Sequence, residues 1–237
     1  MGHMFRFCSS LTSLDLSNFD TSQVEDMTAM FYSCKSLKLL NLLHFDTSHV
    51  TDMRTTFRYC SSLTSLNIQN FDTSLVICML YMFSDCSSLT SLDLLSFDTS
   101  KVTDMDNLFY NCKSLSSLDL SSFDTSGVKY MNHMFDGCIN LQFINIKNFQ
   151  ENNALTNEDM FKNVPGNVVV SLNVNNNNKI ISELSNSQCY TIINSNDWES
   201  QQKKIIDGSN ECIDECYKHE SNKFEYNGKC YKDCKML

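Results

Sequence analysis

Apolar positions recur along this chain at a fixed step of 26 residues, from the N-terminus to about residue 161. Cysteine, leucine and phenylalanine each keep their place in the unit, and no copy carries an insertion. The cysteine column contains Cys8, Cys34, Cys60, Cys86, Cys112 and Cys138. A constant period of this kind is the signature of stacked supersecondary units, so an elongated repeat array is predicted.

Residues 86–109 show the pattern of one unit. Leu92 and Leu94 are two apart and therefore point to one side of a short strand. After the turn-forming sequence FDTS, apolar residues recur at spacings of three and four, as on one face of a short helix: Val102, Met105, Leu108 and Phe109. The predicted fold class is an α/β leucine-rich-repeat solenoid of parallel strands and short helices, with a small Cys-rich C-terminal module.

The consensus SLTSLDLSxFDTSxVTDMxxMFxxC, repeated over about residues 4–161, resembles the 26-residue bacterial surface-protein repeat. This is the BspA-like branch of the leucine-rich repeats. The resemblance implies an extracellular or cell-surface protein linked to adhesion, and it brings no catalytic motif. We expect a binding or adhesion module whose partner is a host or neighbouring-cell protein or glycan. The alternative is a structural spacer or self-associating solenoid with no specific ligand.

Four segments are predicted along the chain. They are a cloning remnant, the array, a degenerate last repeat with its C-terminal cap, and a truncated Cys-rich module, at residues 1–4, 5–161, 162–208 and 209–237. A seventh strand is expected at 168–174 and a helix at about 197–206. Because the array begins inside a unit, further repeats and a targeting signal are expected upstream. The FDTS turn is lost at 150–153.

One polar column stands at the outward position of the predicted strands. Its members are Asp15, Asn41, Asn67, Asp93, Asp119 and Asn145. A broad polar face made of such columns suits a protein or glycan ligand. A solvated surface with no partner is the alternative. A second column, the Asp of each FDTS turn, is expected to cap the turn, with calcium binding as its alternative.

The third full copy carries apolar residues where its siblings carry polar ones. Leu75, Ile77, Cys78 and Leu80 occupy positions that are predicted to face solvent. A local apolar patch on a polar surface usually marks a contact, so a homodimer or partner interface is predicted here. Burial by a shift in packing is the alternative.

The last 26 residues hold two CxxxC pairs, Cys212, Cys216, Cys230 and Cys234. Asn227-Gly228 between strand-like segments indicates a β-hairpin. A disulfide-stapled extracellular module is predicted, with a zinc site as the alternative, and three pairings are possible for four cysteines. The single cysteine of each repeat gives no ligand pair, so the cysteine column is expected to be a buried apolar spine.

The composition and the missing motifs argue against several classes of function. The formal net charge is −10, and residues 1–161 hold 18 acidic but only 9 basic side chains, which argues against a nucleic-acid partner. No apolar run approaches the ~20 residues of a membrane span. Signatures of hydrolases, zinc proteases and phosphate-binding loops are missing from the sequence. No enzyme activity, cofactor or metal is therefore expected.

Overall fold

The computed structural model describes residues 1–173, 175, 178–184, 190–193, 203–206, 212–214, 224–226 and 229–231. The repeats form a parallel β-solenoid of about six turns with little helix. Each turn is one 26-residue unit, so the repeat length predicted from the sequence is the length of one coil.

One side of the solenoid is a ladder of three-residue parallel strands. The strands are β1 Leu39–Asn41, β2 Ser65–Asn67, β3 Ser117–Asp119, β4 Phe143–Asn145 and β5 Val169–Ser171. β1 pairs with β2, and β3 pairs with β4, which pairs with β5. The copy between β2 and β3 forms no strand, so the ladder is interrupted there. The register is one unit per strand, with Leu40 opposite Leu66 and Ile144 opposite Val170. Because the middle residue of each repeat strand points inward, the first and third residues point outward.

The opposite side of the solenoid is also a parallel ladder, and here the prediction of a short helix in every unit is wrong. Residues 1–173 are all described, and they contain no helix. Isolated parallel bridges instead link one residue per turn; we call this the turn ladder: Asp26, Asp52, Cys78, Asp104, Tyr130 and Thr156.

Backbone hydrogen bonds explain why no helix forms along the turn ladder. The Ala29 N–H donates to the Arg54 carbonyl of the next turn (3.1 Å), whereas the Met30 N–H donates back to the Met27 carbonyl (3.1 Å). Ala29 and Ser33 have positive φ angles of 52° and 62°, and the equivalent residues of later turns do too. A right-handed helix excludes such residues, so the segment is a series of tight turns.

The core is built from identical side chains stacked turn upon turn. Phe31 and Phe57 lie parallel, with ring centroids 5.6 Å apart and planes 3° apart. The cysteine column is buried beside this stack from Cys34 onward. The Cys60 Sγ also donates a hydrogen bond to the Phe31 carbonyl at 3.1 Å, and the same bond recurs in later turns. The spine is therefore apolar, as predicted, and also satisfies backbone carbonyls.

The FDTS sequence forms a corner that joins neighbouring turns. The buried Thr73 hydroxyl accepts the Asp98 N–H (2.8 Å) and donates to the Asp98 carbonyl (2.8 Å). The Asp98 carboxylate accepts the Ser100 N–H two residues later at 2.9 Å. This capping role of the Asp column is the one expected from the sequence.

The array ends in a short helix and a last paired strand. α1, Asn178–Leu184, follows β5, and β6, Thr191–Ile193, pairs in parallel with β5. Glu151 caps the helix: its carboxylate accepts the N–H groups of Lys179 (3.0 Å) and Ile180 (2.7 Å). The loss of FDTS at 150–153 therefore marks the point where the repeat gives way to the cap.

The C-terminal residues that are described form a four-stranded sheet in the order β8-β7-β10-β9. Its strands are β7 Lys204–Ile206, β8 Cys212–Ile213, β9 Phe224–Tyr226 and β10 Lys229–Tyr231. β9 and β10 are antiparallel neighbours, as the hairpin prediction required. The helix predicted at 197–206 is wrong at its end, which is β7, and its beginning lies outside the described residues.

Two of the four tail cysteines lie in this sheet. Cys212 and Cys230 are both disulfide-bonded. Cys216 and Cys234 lie outside the described residues, so the pairing of the module stays a prediction.

Candidate functional site

The outward side of the strand ladder is the first candidate site. We call it the sheet face, and it consists of two columns: Ser13, Leu39, Ser65, Ser91, Ser117 and Asp15, Asn41, Asn67, Asp93, Asp119. All of these side chains are exposed except Asn67, which is half-buried. Five of the six polar residues predicted for this face are therefore there.

Asn145 is the exception, and its assignment to an open face is wrong. It is only 6 % exposed, and Ser171, its neighbour in β5, is also 6 % exposed. The Asn167 side chain next to β5 donates to the Lys203 carbonyl at 2.8 Å, so the C-terminal segment packs at this end of the array. The repeat pattern alone contains no information about what covers its last strands.

The polar column has a second role that the sequence reading missed. In five of its members, Oδ1 accepts the backbone N–H of the residue two positions later, at 2.9–3.3 Å: Asp15, Asn41, Asp93, Asp119 and Asn145. The hydrogen bond from the Ser17 N–H lowers the pKa of Asp15. The sequence signal for this capping was the Asp or Asn that recurs in every copy just before the turn that follows the strand position.

Capping uses only one polar atom of each of these side chains, and the other can make a second hydrogen bond. Asp93 Oδ2, for example, accepts the Gln69 side-chain amide of the preceding turn at 3.2 Å. Apart from Asn67, the column is thus a row of side chains whose direction is held by the backbone, with successive turns about 4.8 Å apart.

Two exposed leucines on or beside the sheet face were not singled out from the sequence. Leu39 is 64 % exposed and lies opposite Ser65, and Leu95 is 57 % exposed in the turn that follows Leu94. The signal was available, because serine fills the column of Leu39 in the first, third, fourth and fifth copies.

The apolar patch predicted on the third full copy lies on the turn ladder, as a second candidate site. Leu75 is 37 % and Ile77 is 51 % exposed, so both face solvent as predicted. Leu80 and Cys78 are half-buried. Burial raises the pKa of the Cys78 thiol, so this thiol is a poorer nucleophile than an exposed cysteine.

The array offers little reactive chemistry. Burial raises the pKa of the Cys86 and Cys138 thiols to about 12, so these thiols stay protonated near neutral pH. Among the described residues, no cluster of three His, Cys, Asp or Glu side chains is placed to hold a metal ion. Nor does the described part of the chain contain a helix with the length and apolarity needed to cross a bilayer.

No curated protein matches the chain. The crystal structure of a leucine-rich repeat protein from Bacteroides ovatus is similar at 18 % identity, with a TM-score of 0.29, over 73 % of this chain. The match covers 58 % of the Bacteroides protein, so this chain spans less than two thirds of its length. The family model described as "Mycoplasma protein of unknown function, DUF285" matches residues 1–94 and 79–198, and the chain belongs to this family.

Proposed function

We propose that this chain is an extracellular or cell-surface binding or adhesion module, and that its sheet face binds a protein or glycan ligand. The resemblance of the repeat to the BspA-like branch of bacterial surface proteins supports this proposal. The acidic surface of the array, with 18 acidic and 9 basic side chains in residues 1–161, disfavours a nucleic acid as the ligand.

The observation that carries the proposal is the preorganisation of the polar column. Backbone N–H groups hold the side chains of Asp15, Asn41, Asp93 and Asp119 in place before any ligand arrives. Ordering flexible side chains is a large cost of association, so a face whose polar groups are already fixed loses less free energy on binding. Leu39 adds an exposed apolar group to this polar row.

The proposal is tested by screening the full chain on glycan and cell-surface protein arrays and comparing it with an Asp93→Asn/Asp119→Asn variant. Asparagine keeps the Oδ1 acceptor, as Asn41 shows with the Leu43 N–H at 3.2 Å, so the turns stay capped while two charges are lost. We expect roughly tenfold weaker binding, equal to about 1.4 kcal/mol.

Two further variants separate the sheet face from the rest of the surface. Leu39→Ser restores the residue found in neighbouring turns and is expected to weaken the same binding. Ile77→Thr changes only the apolar patch on the turn ladder and is expected to leave the binding of the ligand unchanged. If no array component binds, or if all variants bind equally well, the sheet face has no ligand and the chain is the alternative, a structural spacer.

A further inference from the structure

The apolar patch on the turn ladder lies between side chains of opposite charge. One exposed column runs in the order Glu25, Thr51, Ile77, Thr103 and Lys129. Backbone hydrogen bonds join its members from turn to turn, from the Ile77 N–H to the Thr51 carbonyl (2.9 Å) and from the Thr103 N–H to the Ile77 carbonyl (3.0 Å). The acidic end and the basic end are therefore equally far from Ile77, at two turns each.

A neighbouring column also has opposite charges on the two sides of an apolar residue, but in the reverse order. Its three central members are Arg54, Leu80 and Asp106, so a base and an acid lie one turn on either side of an apolar residue. In both columns, the third full copy supplies the apolar centre. A surface with this arrangement is complementary to itself after a half-turn rotation that reverses the order of the turns.

We propose that two copies of this chain form a dimer through this surface, with antiparallel solenoid axes and a two-fold axis along the turn that carries Ile77. Ile77 then packs on Ile77 of the second copy. Glu25 faces Lys129 of the second copy, and Arg54 faces its Asp106. Because the two-fold axis repeats each contact, the dimer gains four pairs of opposite charge around an apolar centre.

The charges also select this orientation over the parallel one. A two-fold axis along the solenoid would place each turn against the same turn of the second copy and would bring Glu25 against Asp26. The antiparallel arrangement has one kind of unfavourable contact, Asp52 against Asp104, which the two-fold axis repeats as well. Arg54 reduces the repulsion between these carboxylates, because its Nε already donates to Asp52 Oδ2 at 2.8 Å.

The size of the surface sets the expected affinity. Five turns at about 4.8 Å per step, and five or six residues across, give on the order of 300–400 Å² per copy. Stable interfaces bury about 800 Å² per partner, so the dimer is expected to be weak and to form at high protein concentration.

Sedimentation equilibrium of the full chain over about three decades of concentration measures the dimer, and charge reversal tests its geometry. Glu25→Lys and Lys129→Glu each replace two attractive pairs with repulsive ones and are expected to weaken dimerisation at least tenfold. The double variant exchanges the two charges and is expected to recover most of the affinity. The next turn's Thr51 N–H binds the Glu25 backbone carbonyl (2.9 Å), so this hydrogen bond survives the substitution.

Two substitutions that insert the residue found in neighbouring turns form a matched pair, one inside the proposed interface and one outside it. Circular dichroism verifies that both variants fold. Ile77→Thr inserts the residue of the adjacent turns and is expected to abolish the dimer. Leu39→Ser makes a similar change on the sheet face and is expected to have no effect. A chain that is monomeric at every concentration overturns the proposal, as does a double variant as weak as the single ones, or a dimer lost with Leu39→Ser.

Discussion

At the scale of single residues, each turn carries two positions with left-handed backbone, and most of them are not glycine. Ala29, Thr55 and Tyr81 hold one of these positions, with φ angles of 52°, 54° and 56°. Left-handed backbone costs a non-glycine residue roughly 1–2 kcal/mol. The cost is tolerated because hydrogen bonds to the next turn fix the conformation, such as the one from the Thr55 N–H to the Leu80 carbonyl at 2.8 Å.

Gly137 holds the other left-handed position in its turn, with a φ angle of 78°. A Cβ there would overlap Asn111 Oδ1 of the preceding turn, so Gly137→Ala combines backbone strain with a steric clash. We expect the free energy of unfolding to fall by about 1–3 kcal/mol, measured by urea denaturation.

Gly127→Ala is the matched control for Gly137→Ala. Its new Cβ would lie 3.6 Å from the nearest atom, the Ser100 carbonyl oxygen, which is ordinary contact. We expect a neutral or slightly stabilising effect, up to about 1 kcal/mol. Equal losses of stability in the two alanine variants would contradict this account of Gly137.

At the scale of elements, the sequence predicted the face and the register of the strands that form, because alternation and a constant period determine both. In the first and fourth copies no strand forms at the predicted position. It failed for the turn ladder because the buried residues Met27, Met30, Phe31 and Cys34 have helical spacing although the backbone is not helical. Spacing records which side chains point inward. It does not record the sign of φ or the destination of the N–H groups, and the Phe31 N–H donates to the Thr56 carbonyl of the next turn (2.9 Å).

For the candidate site, the sequence likewise predicted which side chains are exposed but not which hydrogen bonds they make. Alternation correctly predicted that the side chains of Asp93 and Asp119 are exposed, but it could not show that their Oδ1 atoms cap the turns. The exposure of Leu75 and Ile77 followed from comparing one copy with its siblings. The burial of Asn145 depends on segments outside the repeat, so no internal comparison could have found it.

The element that ends the array provides a further prediction. Glu151 occupies the column in which earlier turns have a threonine such as Thr125, whose hydroxyl binds the backbone of the next turn. Here the next element is α1, and the longer carboxylate reaches the N–H groups of Lys179 and Ile180. We expect Glu151→Thr to lose this cap, at a cost of about 1 kcal/mol, and to speed amide exchange at both N–H groups.

Hydrogen exchange with mass spectrometry measures this effect locally. Glu151→Gln keeps one acceptor oxygen at the same reach, so a smaller increase in exchange is expected from it. Central turns, such as the one containing Val76, should exchange as in the unchanged chain. Unchanged protection of α1 in Glu151→Thr would show that the carboxylate does not hold the helix.

At the scale of the whole molecule, stability arises between neighbouring turns. The cross-turn bonds of the FDTS threonines repeat at the same step, from the Thr47 hydroxyl to the Asp72 carbonyl and from the Thr73 hydroxyl to the Asp98 carbonyl. The phenylalanine rings stack in the same way, with Phe83 and Phe109 5.6 Å apart. The folding free energy of such a chain is approximately a sum over single units and over contacts between neighbouring units. Whole turns can therefore be added or removed, but the length of the unit cannot change.

Removing one complete unit tests this description. Excision of residues 61–86 joins Cys60 to Ser87 and preserves every column, so the shortened chain is expected to fold, with a denaturant m-value lower by roughly a tenth. Excision of residues 61–73, half a unit, joins Cys60 to Ser74 and brings unlike columns together, so cooperative unfolding should be lost. The first deletion also removes Leu75, Ile77 and Leu80, and the shortened chain should therefore be monomeric under conditions in which the intact chain dimerises. If both deletions unfold the chain equally, its stability depends on the array as a whole and not on pairs of neighbouring turns.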